Sequence, residues 1–180
     1  GRDAADFVFS SNRPLRFAAG QYLEWTIPSR GHDARGNRRS FTIASAPSDS
    51  ELRLGVKFYS KPSTFKQALL AMQPGDRMVA GHLAGSFVPP RSKKAKLALI
   101  AGGIGVTPFR SMIGEWVAKG ESPDAVLLYG NATPDDIAYR PLLDSARERI
   151  GLKTVFAVER EAQSGMHAGF IDADLIRREI

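Results

Sequence analysis

The spacing of apolar residues changes character near residue 96. Before it, short runs rich in aromatic and β-branched residues recur between turn residues: Phe7-Val8-Phe9, GQYLEWTI over 20–27, RRSFTIAS over 38–45 and ELRLGVKFY over 51–59. ELRLGVKFY alternates apolar and polar positions, the pattern of a strand with one buried face. Pro28, Ala46-Pro47 and Gln73-Pro74-Gly75 stop these runs. SRGHDARGNR, residues 29–38, reads as a polar glycine-containing loop, and FKQALLAM, entered through Lys61-Pro62-Ser63-Thr64, as one short helix. Residues 76–81 and 86–88 complete the predicted strands. Many short strands with regular turn signals predict an antiparallel barrel or sandwich.

PPRSKKAK, residues 89–96, reads as a linker, and strands then alternate with helices. Leu97 to Ala101 is a continuous apolar run, predicting a parallel strand covered on both faces. A helix from Pro108 places Phe109, Met112, Ile113, Trp116 and Val117 at helical spacing and stops at Gly120. AVLLYG (125–130) and KTVFAVE (153–159) give two more strands. Thr133 or Asp135 caps a segment that Pro141 breaks or kinks before Gly151, and Asp172 caps a last helix. Right-handed βαβ units follow, with three parallel strands.

Between the first of these strands and its helix lies AGGIGVTPF. Gly102, Gly103 and Gly105 permit positive φ and close approach of backbone to a ligand. Thr107 as N-cap and Pro108 as first helical residue predict a helix start directly behind bare glycine amides, a place for an anion and most often a phosphate. A tight βα turn without ligand is the plain alternative.

Charge adds a second asymmetry. Residues 1–94 hold 15 Lys and Arg against 7 Asp and Glu, whereas residues 95–180 hold 10 against 12. The basic half lacks the aromatic-studded pattern of a nucleic-acid binder, so nucleic acid is not an expected partner. With no cysteine, the chain can build no disulfide and no cysteine-ligated iron–sulfur or zinc site. His32, His82 and His167 have no metal-ligand spacing, and no metal site is expected. No run of eighteen apolar residues is present, and GRDAADFVFSS carries no apolar h-region. A cytoplasmic setting is expected, including that of a cytoplasmic-side domain of a membrane-anchored parent.

Five motifs, in order, resemble the ferredoxin–NADP reductase superfamily: GQY, RRSFTIAS, GHLAGSF, AGGIGVTPF and YGNATPDDIAYR. RRSFTIAS is similar to its R-x-Y-[ST] flavin motif. The resemblance implies an antiparallel β-barrel flavin-binding domain over residues 1–92, then a three-layer α/β nucleotide-binding domain with an incomplete parallel sheet over 93–180. Because the family's Cys-Gly-Pro loop is missing, the chain is expected to be truncated at its C-terminus, and its abrupt first strand suggests the same at the N-terminus.

The resemblance assigns roles as well. Arg39 would pair with the FAD pyrophosphate, a task that suits a guanidinium better than an ammonium. Ser40 and Phe41 follow; Phe41 would stack on the isoalloxazine without the hydroxyl of the family's tyrosine, and Thr42, the catalytic candidate, would set a hydroxyl near flavin N5. Ser63 and Thr64 would meet the pyrophosphate at the short helix. Gly102, Gly103, Gly105, Thr107, Pro108 and Asn131 would receive the pyridine nucleotide. On pattern alone, Arg39 is a solvated strand residue, Phe41 is core, Thr42 is an ordinary strand residue and Ser63 is an N-cap. His82 stands where the family commonly has proline and receives no role. No arginine follows the second parallel strand before Arg140, which favours NADH over NADPH. The implied function is a reductase module passing hydride from NAD(P)H to FAD and electrons to an acidic iron–sulfur protein or a haem or membrane portion of a parent chain. A flavin-binding structural or regulatory module without nicotinamide turnover is the alternative.

Overall fold

The computed structural model describes residues 3–28 and 31–180. Ser29 and Arg30, which open the predicted polar loop, lie outside the described residues. In the first half, β1 (Ala4–Phe9) pairs antiparallel with β4 (Leu52–Lys57). β2 (Tyr22–Thr26) is the centre of a second antiparallel sheet, between β3 (Arg38–Thr42) and β5 (Val79–Ala84).

The two sheets enclose Leu23, Trp25, Ile27, Ile43, Leu54 and Val56, and α1 (Thr64–Ala71) adds Phe65 and Leu69 to that core. The expected single barrel is therefore two sheets, linked where Ala44 N–H donates to the Arg53 carbonyl at 2.9 Å. Among the described residues no ladder joins β1 to β5, so closure into a barrel is not observed.

Two strand expectations in this half are corrected. The strand expected at 76–81 begins instead at Val79, because Gln73–Asp76 is consumed by a turn in which Asp76 Oδ2 accepts from Gln73 N–H at 2.8 Å. It runs on to Ala84 through a register shift against β2, with His82 at φ 49°. The strand expected at 86–88 is absent; Val88 N–H turns back to the Ser86 carbonyl at 2.9 Å.

The second half is a parallel sheet in the order β6 (Leu97–Gly102), β7 (Ala125–Asn131), β8 (Lys153–Val158), β9 (His167–Ala168). It has four strands rather than the expected three, since the polar run around His167 docks on Val158. One face packs Leu99, Ala101, Leu127, Tyr129 and Phe156 together with α2 (Thr107–Lys119) and α3 (Arg140–Ile150). Ile171 lies against Gly130 on the other face, where α4 (Ala173–Glu179) begins with its Asp172 cap accepting from Leu175 N–H at 2.8 Å.

Two-sided burial, expected for Leu97–Ala101, holds for β7 but not for β6. Ile100 is 48% exposed, because β6 is the sheet's edge and the α4 layer stops short of it.

α2 makes several hydrogen bonds across the two halves. On α2, Arg110 Nη1 donates to the Ala44 carbonyl (2.7 Å) and to Asp49 Oδ2 (2.9 Å). Glu115 Oε2 accepts from Ser48 N–H at 2.9 Å, and Ser111 Oγ donates to the Ser45 carbonyl. Burial alone would raise the Glu115 carboxyl, but hydrogen bonds from Lys119 and Ser48 outweigh it and hold the group below its ordinary value. The helix that emerges from the glycine turn is thus bolted to the antiparallel half.

Candidate functional site

The candidate residues fall into two loci. In the antiparallel half, β3 alternates faces, so Arg39 and Phe41 stand opposite buried Trp25 and Leu23 while Ser40 and Thr42 take the other face. Phe41 is half-buried and its ring lies 5.8 Å from that of Phe65. The Arg39 guanidinium lies 5.6 Å from the centre of the same Phe65 ring. Phe65 follows Thr64, so α1 gathers Arg39, Phe41, Ser63 and Thr64 into one cluster. Ser40 is exposed and does not join it.

Arg39 is not a free cation here. Its Nη2 meets Asp33 Oδ1 at 3.0 Å, and its Nη1 donates to the carbonyls of Arg35 (2.8 Å), Gly36 (3.0 Å) and Arg38 (2.6 Å). Asp33 N–H in turn donates to Thr64 Oγ1 at 3.0 Å. Burial works against a charged Asp33, but the bonds and charge of Arg35 prevail and hold this carboxyl below its ordinary range. The cluster therefore has the donors an anion needs, with an internal carboxylate already among them. Ser63 caps α1, its hydroxyl accepting from Lys66 N–H at 3.4 Å.

The second locus lies at the carboxyl ends of β6 and β7. A 3₁₀ turn, Gly103–Val106, runs directly into α2. Thr107 is consequently the first helical residue rather than the cap: Val106 holds that position in helical conformation, no side chain caps the end, and Pro108 is second. The reason is continuity, since the Thr107 N–H is already bonded to the Ile104 carbonyl. Around the Cβ positions of Gly102, Gly103 and Gly105 there is no other atom within 4 Å, and Gly103 sits at φ +47°. This is open backbone, unobstructed above all three glycines, at the start of a helix.

Beside the turn, Tyr129 is fully buried. Its hydroxyl donates to the Gly103 carbonyl at 3.0 Å and accepts from Ala138 N–H at 3.1 Å. Burial pushes this phenol up to about 12. Asn131, two residues along the same strand face, is 6% exposed; its carboxamide approaches the Tyr129 hydroxyl, but neither Nδ2 nor Oδ1 makes a hydrogen bond of good geometry. An under-satisfied buried carboxamide is costly and rare, and a functional role is one of its explanations.

The two halves also meet at Gly55, on β4. A Cβ there would lie 2.2 Å from the Tyr139 hydroxyl and 2.8 Å from Thr107 Cγ2. The Tyr139 hydroxyl donates to Asp6 Oδ1 at 3.0 Å, and Asp6 Oδ2 pairs with Arg53 at 2.9 Å. Burial and the Asp6 charge push the Tyr139 phenol upward.

Sequence reasoning missed Asp33, Tyr129, Gly55 and Tyr139. Tyr129 had a signal, its two-residue spacing from Asn131; the others depend on contacts between distant segments. Among the described residues no cluster could hold a metal ion, and no helix is long and apolar enough to cross a membrane.

The fold is thus an antiparallel half carrying an arginine-centred cluster, followed by a parallel sheet with a glycine turn at its carboxyl edge. Residues 99–180 match the oxidoreductase NAD-binding domain family. The chain is 26% identical over 177 residues to a flavohemoprotein of Bacillus subtilis, covering 94% of this chain and 43% of that protein. It is 27% identical over 139 residues to ferredoxin–NADP reductase B of Sorangium cellulosum, covering 77% and 56% respectively. The crystal structure of the Amycolatopsis cytochrome P450 reductase GcoB superposes with a TM-score of 0.83 at 24% identity, over 98% of this chain and 54% of that one. The second half thus matches an oxidoreductase NAD-binding domain, and the chain as a whole is similar to flavohemoproteins and ferredoxin–NADP reductases. The chain spans about half the length of these curated relatives.

Proposed function

We propose that this chain is the flavin- and nicotinamide-binding reductase module of an electron-transfer system, with FAD held by residues 1–92 and a pyridine nucleotide by residues 93–180. The observation that carries it is the pairing of the open Gly102–Gly105 backbone with the under-satisfied buried carboxamide of Asn131 at the carboxyl ends of two parallel strands. Ligands of open α/β sheets bind at that edge.

The residues present fit both groups. Arg39, Thr64 and the Ser63 turn supply donors for a pyrophosphate, although Arg39 must exchange Asp33 and carbonyl partners for it. Phe41 offers an aromatic face, and Thr42 a hydroxyl from the opposite face of the strand end. FAD, when bound, would take a hydride from the nicotinamide and release electrons singly or in pairs to an acceptor. The protein's share is to hold, orient and exclude water. The first amides of the glycine turn, at Gly103 and Ile104, would face the nucleotide phosphates, and Asn131 would bond a polar edge of that ligand.

NADH is the favoured nucleotide. Arg140, the first arginine after β7, is committed elsewhere: it lies 4.4 Å from the Phe156 ring centre and bonds Asp144. The acceptor is an acidic iron–sulfur protein or a haem-bearing portion of a parent chain, in a cytoplasmic setting. A visible spectrum of the purified protein, repeated anaerobically with NADH, tests the proposal. Flavin absorbance that bleaches with NADH is expected; a bound flavin that NADH leaves unbleached would favour the regulatory module, and a colourless protein that fails to take up FAD would overturn both.

A further inference from the structure

Tyr129 lies in the nucleotide half without being able to touch a ligand, since it is 0% exposed. Yet its hydroxyl reaches the glycine turn, with the Asn131 carboxamide close by. It donates to the Gly103 carbonyl (3.0 Å) and accepts from Ala138 N–H (3.1 Å), so one oxygen ties the turn after β6 to the segment following β7. The ring is held by Phe156, 6.3 Å away between centroids, and by the core beneath α2 and α3.

A peptide unit is planar and trans, so its carbonyl and its N–H point in opposite directions. Holding the Gly103 carbonyl inward toward Tyr129 therefore holds the Ile104 N–H outward. That N–H belongs to the first turn of the 3₁₀ segment, where the helix itself offers no acceptor. Gly103 at φ +47° is the joint that lets the peptide take this setting. Left without a clamp, a glycine-rich turn has many alternatives of similar energy.

We propose that Tyr129 is a positioning residue for the pyridine nucleotide: its buried hydroxyl fixes the Gly103–Ile104 peptide so that the Ile104 N–H is aimed at a phosphate of the dinucleotide. The proposal rests on the glycine turn being the nucleotide site. A phenol is suited to the task because it donates and accepts at once from a rigid arm, and because burial keeps it protonated across the working range of pH.

The test compares three variants of the FAD-loaded protein with the unaltered one. Tyr129→Phe removes the clamp and keeps the ring. Leu152→Ala removes a buried residue of the same half at the amino end of β8, away from the turn, and serves as the matched loss of stability. Gly105→Val obstructs the turn itself. For each, the dissociation constant for NADH is measured calorimetrically, together with flavin content and melting temperature.

Tyr129→Phe is expected to weaken NADH binding about tenfold, the scale of a lost hydrogen bond with its ordering effect. Flavin content should be retained, and Leu152→Ala should bind NADH normally despite a comparable drop in melting temperature. Unchanged NADH affinity in Tyr129→Phe, with Gly105→Val abolishing it, would overturn the clamp and leave the nucleotide site standing. Equal losses in Tyr129→Phe and Leu152→Ala would also overturn it, as a mere effect of stability. NADH binding undiminished by Gly105→Val would overturn the site itself, and the clamp with it.

Discussion

Arg39 and Asp33 form an ion pair at 3.0 Å inside the cluster assigned to the flavin pyrophosphate. The partners come from β3 and from the loop before it, and the same aspartate reaches Thr64 at the start of α1. A carboxylate thus sits among the donors that a pyrophosphate would need, so flavin binding at this cluster, as proposed, would be an exchange of anions.

Arg39→Ala is therefore expected to weaken FAD binding by about 1.5–3 kcal/mol, the scale of a charged hydrogen bond. Asp33→Asn should act the other way, retaining FAD as well as or better than the unaltered chain. Fluorescence titration of the apoprotein with FAD measures both. Weaker binding in Asp33→Asn would show that the loop carboxylate supports the site instead of competing for it.

The glycines of the turn are not equivalent. Gly103 has space for a side chain but sits at φ +47°, where a β-branched residue is strained by roughly 1–2 kcal/mol, whereas Gly105 has the same open space without that conformation. Gly105→Val should lose nicotinamide nucleotide with little change in melting temperature and full flavin content. Gly103→Val should lose nucleotide and stability together. Identical melting curves for the two variants would contradict the conformational distinction.

Gly55 is required by what stands over it. Adding a methyl group 2.2 Å from the Tyr139 hydroxyl and 2.8 Å from Thr107 Cγ2 should cost about 1–3 kcal/mol in Gly55→Ala. Because the closest atom is the hydroxyl, Tyr139→Phe should return part of that loss, making the two substitutions non-additive. Thermal unfolding of both single variants and the double variant measures the coupling. Simple additivity would mean that the backbone near Thr107, not the phenol, sets the limit.

Nucleotide choice has a test in Arg160. Its backbone N–H donates to the Ala132 carbonyl at 3.0 Å, which brings this residue beside the loop after β7, a proximity that linear distance concealed. Wild-type protein should prefer NADH, and Arg160→Ala should widen the preference by lowering kcat/KM for NADPH while sparing NADH. An equal fall for both nucleotides would remove Arg160 from the 2′-phosphate question.

The basic surplus of the first half bears on the acceptor. Arg13, Arg16 and Lys61 are exposed, while Lys66 is partly withdrawn, its ammonium bonded to the Lys57 carbonyl and 5.1 Å from the Tyr59 ring centre. Electron transfer to an acidic iron–sulfur acceptor should slow steeply from low to physiological salt, with a small neutral acceptor almost unaffected. Stopped-flow reduction of both acceptors decides this, and a common salt dependence would rule out a docking role for these charges.

Local chemistry was enough to place most of the elements. The switch from short alternating runs to apolar strand and helix periods marked the two halves, since side-chain period and turn chemistry are properties of neighbouring residues. Ser63, Asp172, Gly120 and Gly151 marked helix ends for the same reason. The glycine turn was legible because glycine, proline and a preceding apolar run each speak locally. Thr107 was misplaced as a cap because nothing in the sequence shows that a 3₁₀ turn is continuous with the helix behind it.

Tertiary structure decided the rest. Whether two sheets close into a barrel depends on strand partners far apart in the chain, and β5 found its register through a bulge at His82. Ile100 is as apolar as its neighbours, but its exposure follows from β6 being an edge. Asp33 beside Arg39, Tyr129 beneath Gly103 and Tyr139 above Gly55 are distances between segments, set by packing. A sequence specifies such pairs only through the fold, and it is these pairs that turn a list of candidate residues into a site.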